Sequence, residues 1–571
     1  MLTPTARVAA AYARIAEVDR PEVWITLRPH DELHSEAVEL ERRLADGADL
    51  PLAGLLVAVK DNVDVAGLPT TAACPEFAYP ATETAAAVAR LVERGALVLG
   101  KTNLDQFATG LVGTRSPYGA VRNAHHPELI SGGSSSGSAV AVALGIADLA
   151  IGTDTAGSGR VPAALHGIVG IKATLGVIPA HGVVPACADY DAVTVFATDL
   201  APAVTAARVM AGPDQRDPRS RGWPSDVRLA AANEPKLAIP RAADLIALSA
   251  PYHQAFTDTV ATLRARGIDI TEVDISPLLA AARLLYDGAI VAERYAAVGE
   301  FVDKATPGLD PTVAGIIGAA QHLDAHAFAA DLDTLATART AATALLGGYD
   351  GLLLPTTTEH PSIAEVTADP LGINRRLGTY TNFCNLLDLA AVAVPGSPTT
   401  DGRPFGVMVV VPAFADQLAV DLAALLTRTD PPLLVDTGVP LAVFGAHLRG
   451  QPLHWQLERL GARFAGEITT TDAYRLTALD TTPPKPGLVR HGDGRGAPIS
   501  GELFLLSPGG LGRFLAELPP PMALTSVDLS DGRSVTGFAC GYDAAVAGTD
   551  ITEYRSWVAY LRDRRPGSRV R

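Results

Sequence analysis

A chain of 571 residues that is 48% apolar and 19% charged is too long for one ordinary domain and can bury a large core. Its net charge of −16 argues against nucleic-acid or anionic-membrane binding, which need clustered Lys and Arg, and means that a small anion would need a local cation. The four cysteines, Cys74, Cys187, Cys384 and Cys540, form no CxxC pair, so neither a disulfide framework nor a zinc site is indicated and a reduced cytoplasm is expected.

From the N-terminus, MLTPTARVAAAYARIAEVD reads as an amphipathic helix with charges inside it, which is not the pattern of a signal peptide. Between 51 and 200, apolar β-rich runs alternate with helical patterns: LLVAVK, TAAAVARLVERG, ALVLGKTN, then two Gly/Ser-dense loops, SGGSSSGS at 131–138 and DTAGSGR at 154–160. This alternation predicts α/β organisation around a mixed sheet.

Ser158 is predicted at a sharp turn between a strand at Leu149 to Gly152 and a helix opening near Val161. Gly157 and Gly159 let the backbone turn there and leave successive N–H groups free to meet an anion, as a nucleophile beside an oxyanion hole requires. A serine hydroxyl needs a base, and a lysine serves near neutral pH only if burial or neighbouring cations lower its pKa from about 10.4. Lys60, at the end of the apolar run LLVAVK, has such surroundings. Each part alone has a plainer reading, since Gly/Ser loops are usually turns and a lysine after a strand is usually its exposed end.

Together, VAVKDN at 57–62, GGSSSGSA at 132–139 and GTDTAGSGRVPA at 152–163 resemble the amidase signature family, serine hydrolases with a Ser-Ser-Lys triad in place of Ser-His-Asp. The resemblance covers about residues 25–428. It implies Ser158 as nucleophile, Ser134 as a bridging serine carrying a cis peptide bond, and Lys60 as the ultimate base. It also implies an oxyanion hole from the backbone N–H groups of Thr155, Ala156, Gly157 and Ser158. Ser136 and Ala156 stand where glycine is frequent in the family, and Gly159 replaces a bulkier residue; these departures look like those of the allophanate hydrolase branch.

The segment 201–345 is Ala/Leu/Arg-rich and predicted mostly helical. Within it, LYDGAIVAERY at 285–295 puts Tyr286 and Arg294 about two helical turns apart, so both can face one cleft, although the pattern alone favours an ordinary amphipathic helix with a solvated arginine. By resemblance to allophanate hydrolases, Arg294 would hold the substrate carboxylate through a fork of N–H donors. YDGLLLPTTT at 349–358 reads as a buried strand, and PFGVMVVVPAFADQLAVDLAALL at 404–426 as a strand followed by a helix rather than a membrane span.

The expected fold class is α/β: an amidase signature domain over 1–428 with a mixed central sheet covered by helices, a turn-prone linker at 429–438, and a smaller α+β domain at 439–571. The last resembles the γ-glutamylcyclotransferase-like domain attached to some allophanate hydrolases. A lone histidine such as His447, in the glycine-flanked GAHLRG, is more often a satisfied structural residue than a catalyst; the likeness suggests it as an aid to decarboxylation, with Glu502 a poorer candidate that a strand could simply pair.

The resemblance thus implies hydrolysis of the terminal amide of allophanate, the last half of ATP-dependent urea breakdown, with no metal or organic cofactor. It further implies a homodimer, and pathway logic adds functional association with a separate urea carboxylase; neither nucleic acid nor membrane is expected as partner. The alternatives are another small-molecule amidase of the same fold, or a component resembling the glutaminase of amidotransferases.

Overall fold

The computed structural model describes residues 2–492 and 494–564. Its strands form where the sequence is most continuously apolar: β1 (Trp24–Leu27), β2 (Leu56–Lys60), β3 (Leu97–Thr102), β4 (Leu149–Asp154), β5 (Val169–Lys172) and β6 (Ala192–Ala197). β7 (Lys236–Pro240), β8 (Asp269–Val273), β9 (Gly351–Pro355), β10 (Ala390–Pro395) and β11 (Gly406–Val411) complete an eleven-stranded sheet. The order is β1-β3-β2-β4-β6-β5-β10-β11-β9-β7-β8. β3, β2 and β4 run parallel, as do β9, β7 and β8, while the strands between pair antiparallel. Every residue of β2, β3, β4 and β6 is buried, as strands covered on both faces require. α1 (Ser136–Ala143), buried from Ser136 to Val142, follows the first serine loop and packs against β2 and β4; its small residues permit that approach.

The expected mixed sheet under helices is therefore present, with two differences. The segment 201–345 is not helical throughout, because β7 and β8 extend the sheet edge. β8, DITEV, is exposed or half-buried along its length and carries little apolar signal. Tyr286 and Arg294 also do not share a helix. α2 (Ser276–Asp287) stops at Gly288, whose backbone is extended, and α3 (Ala292–Val302) starts after a short turn.

The chain divides into two compact units, residues 1–223 with 234–434 and residues 224–233 with 435–571. Residues 224–233, placed in the first domain by the sequence boundary, belong to the second unit, where Leu229 N–H donates to Gly461 O at 2.9 Å. That unit holds β12 (Val439–Val443), β13 (Arg463–Thr469), β14 (Tyr474–Leu479), β15 (Lys485–Arg490), β16 (Ser500–Leu506), β17 (Met522–Asp528) and β18 (Ser534–Cys540). Five of them form a sheet ordered β13-β16-β12-β18-β17, and β14 and β15 belong to a separate small sheet, around a core that includes Leu441, Phe504, Phe538 and Trp557. No helix among the described residues is long and apolar enough to cross a membrane.

Candidate active site

β2 delivers Lys60 into the interior with no exposed surface. Its Nζ donates to Ser134 Oγ and to Thr153 Oγ1, each at 2.7 Å. Two other lysines are equally buried and differ in partner: Lys101 is paired with Asp61 at 2.9 Å, and Lys172 donates to the carbonyls of Leu389 and Ala173. Lys60 alone of the three rests on hydroxyls without an ion pair, and a hydroxyl can give up a proton where a carbonyl cannot. Burial pushes its ammonium down to about 7, against the opposing charges of Asp105, Asp191 and Asp154. It is thus available as a neutral amine near neutral pH.

Ser134 follows a cis peptide bond from Gly133. Its carbonyl accepts from the N–H groups of Asp105 (3.1 Å) and Ser136 (2.9 Å). The Asp105 carboxylate in turn accepts from the N–H groups of Val112, Gly113 and Arg115, and any side chain at 133 would run into it. The first serine loop is therefore built on a buried aspartate, and it leads directly into α1.

The second loop grows from the end of β4. Asp154 accepts from Gly157 N–H (2.8 Å) and Gly159 N–H (2.9 Å) and forms a wholly buried ion pair with Arg160 at 2.9 Å. Burial works to raise the Asp154 carboxyl, but the Arg160 guanidinium holds it below the usual range. Asn385 completes the support, donating to Asp154 O at 2.6 Å and accepting from Arg160 at 3.0 Å. Thr155 Oγ1 donates to Asp191, and Ser158 is 2% exposed at the crest of the turn.

Lys60 and Ser134 are thus brought together, whereas among the described residues Ser158 Oγ is hydrogen-bonded to neither. The N–H of Gly157, expected among the oxyanion donors, donates to Asp154 Oδ1 at 2.8 Å. The backbone N–H groups of Thr155, Ala156 and Ser158 have no partner among the described residues.

Arg294 lies in the first turn of α3, 1% exposed. Its Nη1 donates to Thr109 Oγ1 (2.9 Å), its Nη2 to Tyr286 OH (3.4 Å), and its guanidinium stands 5.2 Å from the Tyr286 ring centre. The break at Gly288, not a shared helix face, makes this meeting possible. Its Nε is buried without a partner, and among the described residues no carboxylate pairs with it within 4.0 Å. Its positive charge works with burial to lower the Lys60 pKa. Tyr286 also lines a cavity of about 850 Å³ with Asp244, Arg283, Arg375, Arg376 and Asn382.

In the second unit His447 is 5% exposed, stacked on Phe538 (4.8 Å between ring centres) with Phe514 edge-on at 5.1 Å. Its Nε2 bonds to Gln456 Oε1 at 2.8 Å, and burial pushes its pKa down to about 4. It lines a small pocket with Lys485, Met522 and Phe538. Glu502, on β16, is held by one arginine, accepting from Arg449 N–H (2.8 Å) and Nε (2.9 Å). Asp105, Thr153, Asp154, Arg160, Asp191, Thr381 and Asn385 were not singled out by the sequence pattern. Of these, the DT-to-R spacing inside GTDTAGSGR was the one available signal.

The sheet, the buried lysine and the two serine loops place the chain among the amidohydrolases. It belongs to the amidase family, whose model matches residues 6–420, and residues 439–562 match an allophanate hydrolase C-terminal domain. An allophanate hydrolase of Kluyveromyces lactis superposes with a TM-score of 0.88 at 39% identity, covering 99% of this chain and 97% of that one. A urea amidolyase of Saccharomyces cerevisiae is 40% identical over 588 residues, which is 96% of this chain but 31% of the relative, so the chain spans about a third of that protein. One component of the glutamyl-tRNA(Gln) amidotransferase of Deinococcus deserti is 32% identical over 74% of this chain and 93% of its own length.

Proposed function

We propose that the protein hydrolyses allophanate, releasing ammonia. The observation that carries this reading is Arg294: a buried guanidinium with an unpartnered Nε and no carboxylate partner among the described residues asks for an anion, and a planar carboxylate fits its fork. Tyr286 flanks the same guanidinium and lines the cavity through which a small substrate would reach it.

With the carboxylate on Arg294, Ser158 Oγ attacks the carbonyl of the terminal amide. Its proton passes to Ser134 Oγ as the Ser134 proton passes to the neutral Lys60 amine. The N–H groups of Thr155, Ala156 and Ser158 hold the developing oxyanion. The relay then returns the proton to the leaving nitrogen, ammonia departs, and water hydrolyses the acyl-enzyme to N-carboxycarbamate. Loss of carbon dioxide from that product gives carbamate, a step in which the pocket around His447 would assist. Allophanate is carboxylated urea, so a urea carboxylase must supply it; a homodimer in the cytoplasm is part of the same reading.

The test is ammonia release by the purified protein from allophanate, malonamate, biuret and glutamine, with Ser158→Ala beside it. Rapid release from allophanate that disappears in the variant supports the proposal. Preference for glutamine or a neutral amide overturns the substrate, and activity retained in Ser158→Ala overturns the nucleophile.

A further inference from the structure

The proposed oxyanion donors sit on a turn that contains the peptide between Ala156 and Gly157. Gly157 has φ of +134°, a conformation open to glycine, and a glycine on one side lets a peptide flip at low steric cost. A flip would take the Gly157 N–H off Asp154 and reverse the Ala156 carbonyl, disrupting the turn that carries Thr155, Ala156 and Ser158.

Two side chains oppose this. Thr381 Oγ1 donates to Ala156 O at 2.6 Å, and the Asn382 amide, with its nitrogen turned to the same oxygen, donates at 2.7 Å and reaches Gly378 O at 3.2 Å. Both are buried, Asn382 opening α4 (Asn382–Leu386) and Thr381 just before it. Thr381 is itself fixed, since its carbonyl accepts from both Nη atoms of Arg160 at 3.2 Å and its side chain fills the space a Cβ at 157 would need. The peptide is held at both ends, its oxygen by two donors and its N–H by a carboxylate.

We infer that Thr381 and Asn382 are positioning residues that keep the oxyanion hole preformed. The inference rests on the reading of Ser158 as nucleophile. Since losing one oxyanion donor costs about 100- to 1000-fold in kcat, and each side chain supplies half of the hold on the carbonyl oxygen, Thr381→Val should lower kcat by half of that free energy, about 10- to 30-fold. KM for allophanate should stay within about twofold, because the carboxylate contact is untouched. Thr381→Ser restores the hydroxyl and should recover most of the rate, and Asn382→Leu should repeat the kcat loss.

The experiment measures kcat and KM on allophanate for wild type, Thr381→Val, Thr381→Ser and Asn382→Leu, with calorimetric binding of malonate to report a folded site. Lost kcat with malonate binding retained and rescue by serine is the expected result. Wild-type kcat in Thr381→Val, or equal losses in the valine and serine variants, or loss of malonate binding along with activity, overturns the inference. Failure of the underlying reading looks different: wild type would then be inert to allophanate, or Ser158→Ala would remain active.

Discussion

Lys60 Nζ lies 2.7 Å from Ser134 Oγ with both residues wholly buried. The lysine therefore sits where charge is costly and a proton acceptor is useful. Its depression to about 7 predicts an acid limb in kcat/KM that rises with pH through that value, since only the neutral amine accepts a proton. A rate flat across pH 7 would remove Lys60 as the base.

The same shift has a consequence for stability. Between about 7 and the ordinary 10.5, the native state binds fewer protons than the unfolded chain. Stability must then rise with pH across that window, and the penalty of burying the ammonium is fully present below it. Lys60→Met should be inactive yet melt at a higher temperature than wild type below pH 7, the gap closing as pH rises towards 10.5. Thermal melts of the two proteins over that range check the sign.

Arg294 gives the substrate prediction. Truncating one partner of a buried charge pair costs roughly 2–5 kcal/mol, so Arg294→Met should lower kcat/KM for allophanate by about 30-fold or more. A neutral amide of similar size makes no use of the guanidinium and should lose much less. Equal losses on both substrates would assign the arginine to structure alone.

Lys60, Ser134, Ser158 and Arg294 were singled out by the combination of motifs and its family resemblance, since each local setting alone has a plainer reading: a lysine ending an apolar strand, serines in Gly-rich turns, an arginine on an amphipathic helix. Thr381, Asn382 and Asn385 were not, because their meaning lies in contacts with a loop some 225 positions earlier, which only the folded sheet brings close. The fold was readable at β2, β3, β4 and β9, whose runs are mainly apolar, but not at β7, which lies buried from Leu237 to Pro240 inside a segment read as mostly helical. It failed at β8, an exposed edge strand, and at Gly288, where a periodic pattern continued across a broken helix.

Asp154 and Arg160 carry the next prediction. Both are wholly buried, and the aspartate also fixes the N–H groups on either side of Ser158. Removing one member of a buried pair leaves an uncompensated charge, at a cost of about 3–5 kcal/mol. Arg160→Met should lower the melting temperature and abolish ammonia release together. Asp154→Asn added to it should cost less than the sum of the single losses, because the two share one interaction. Additive losses in denaturant melts would show that the pair does not act as a unit.

His447 should separate the two units chemically. Pushed down to about 4 by burial, it is a neutral imidazole at every pH where the enzyme would work. Any step that depends on it should therefore lack an inflection near the ordinary histidine value of about 6.5. His447→Phe keeps an aromatic ring against Phe538 and Phe514 but removes both ring nitrogens. The variant should release the first ammonia at the wild-type rate and delay carbon dioxide, giving a lag between the two products in a stopped-flow trace. It should also resist acid better: the native imidazole binds fewer protons than the unfolded one between about 4 and 6.5, so in wild type stability falls as pH drops through that window. No lag together with improved acid resistance would make His447 a packing residue of the second unit and leave decarboxylation to proceed without it.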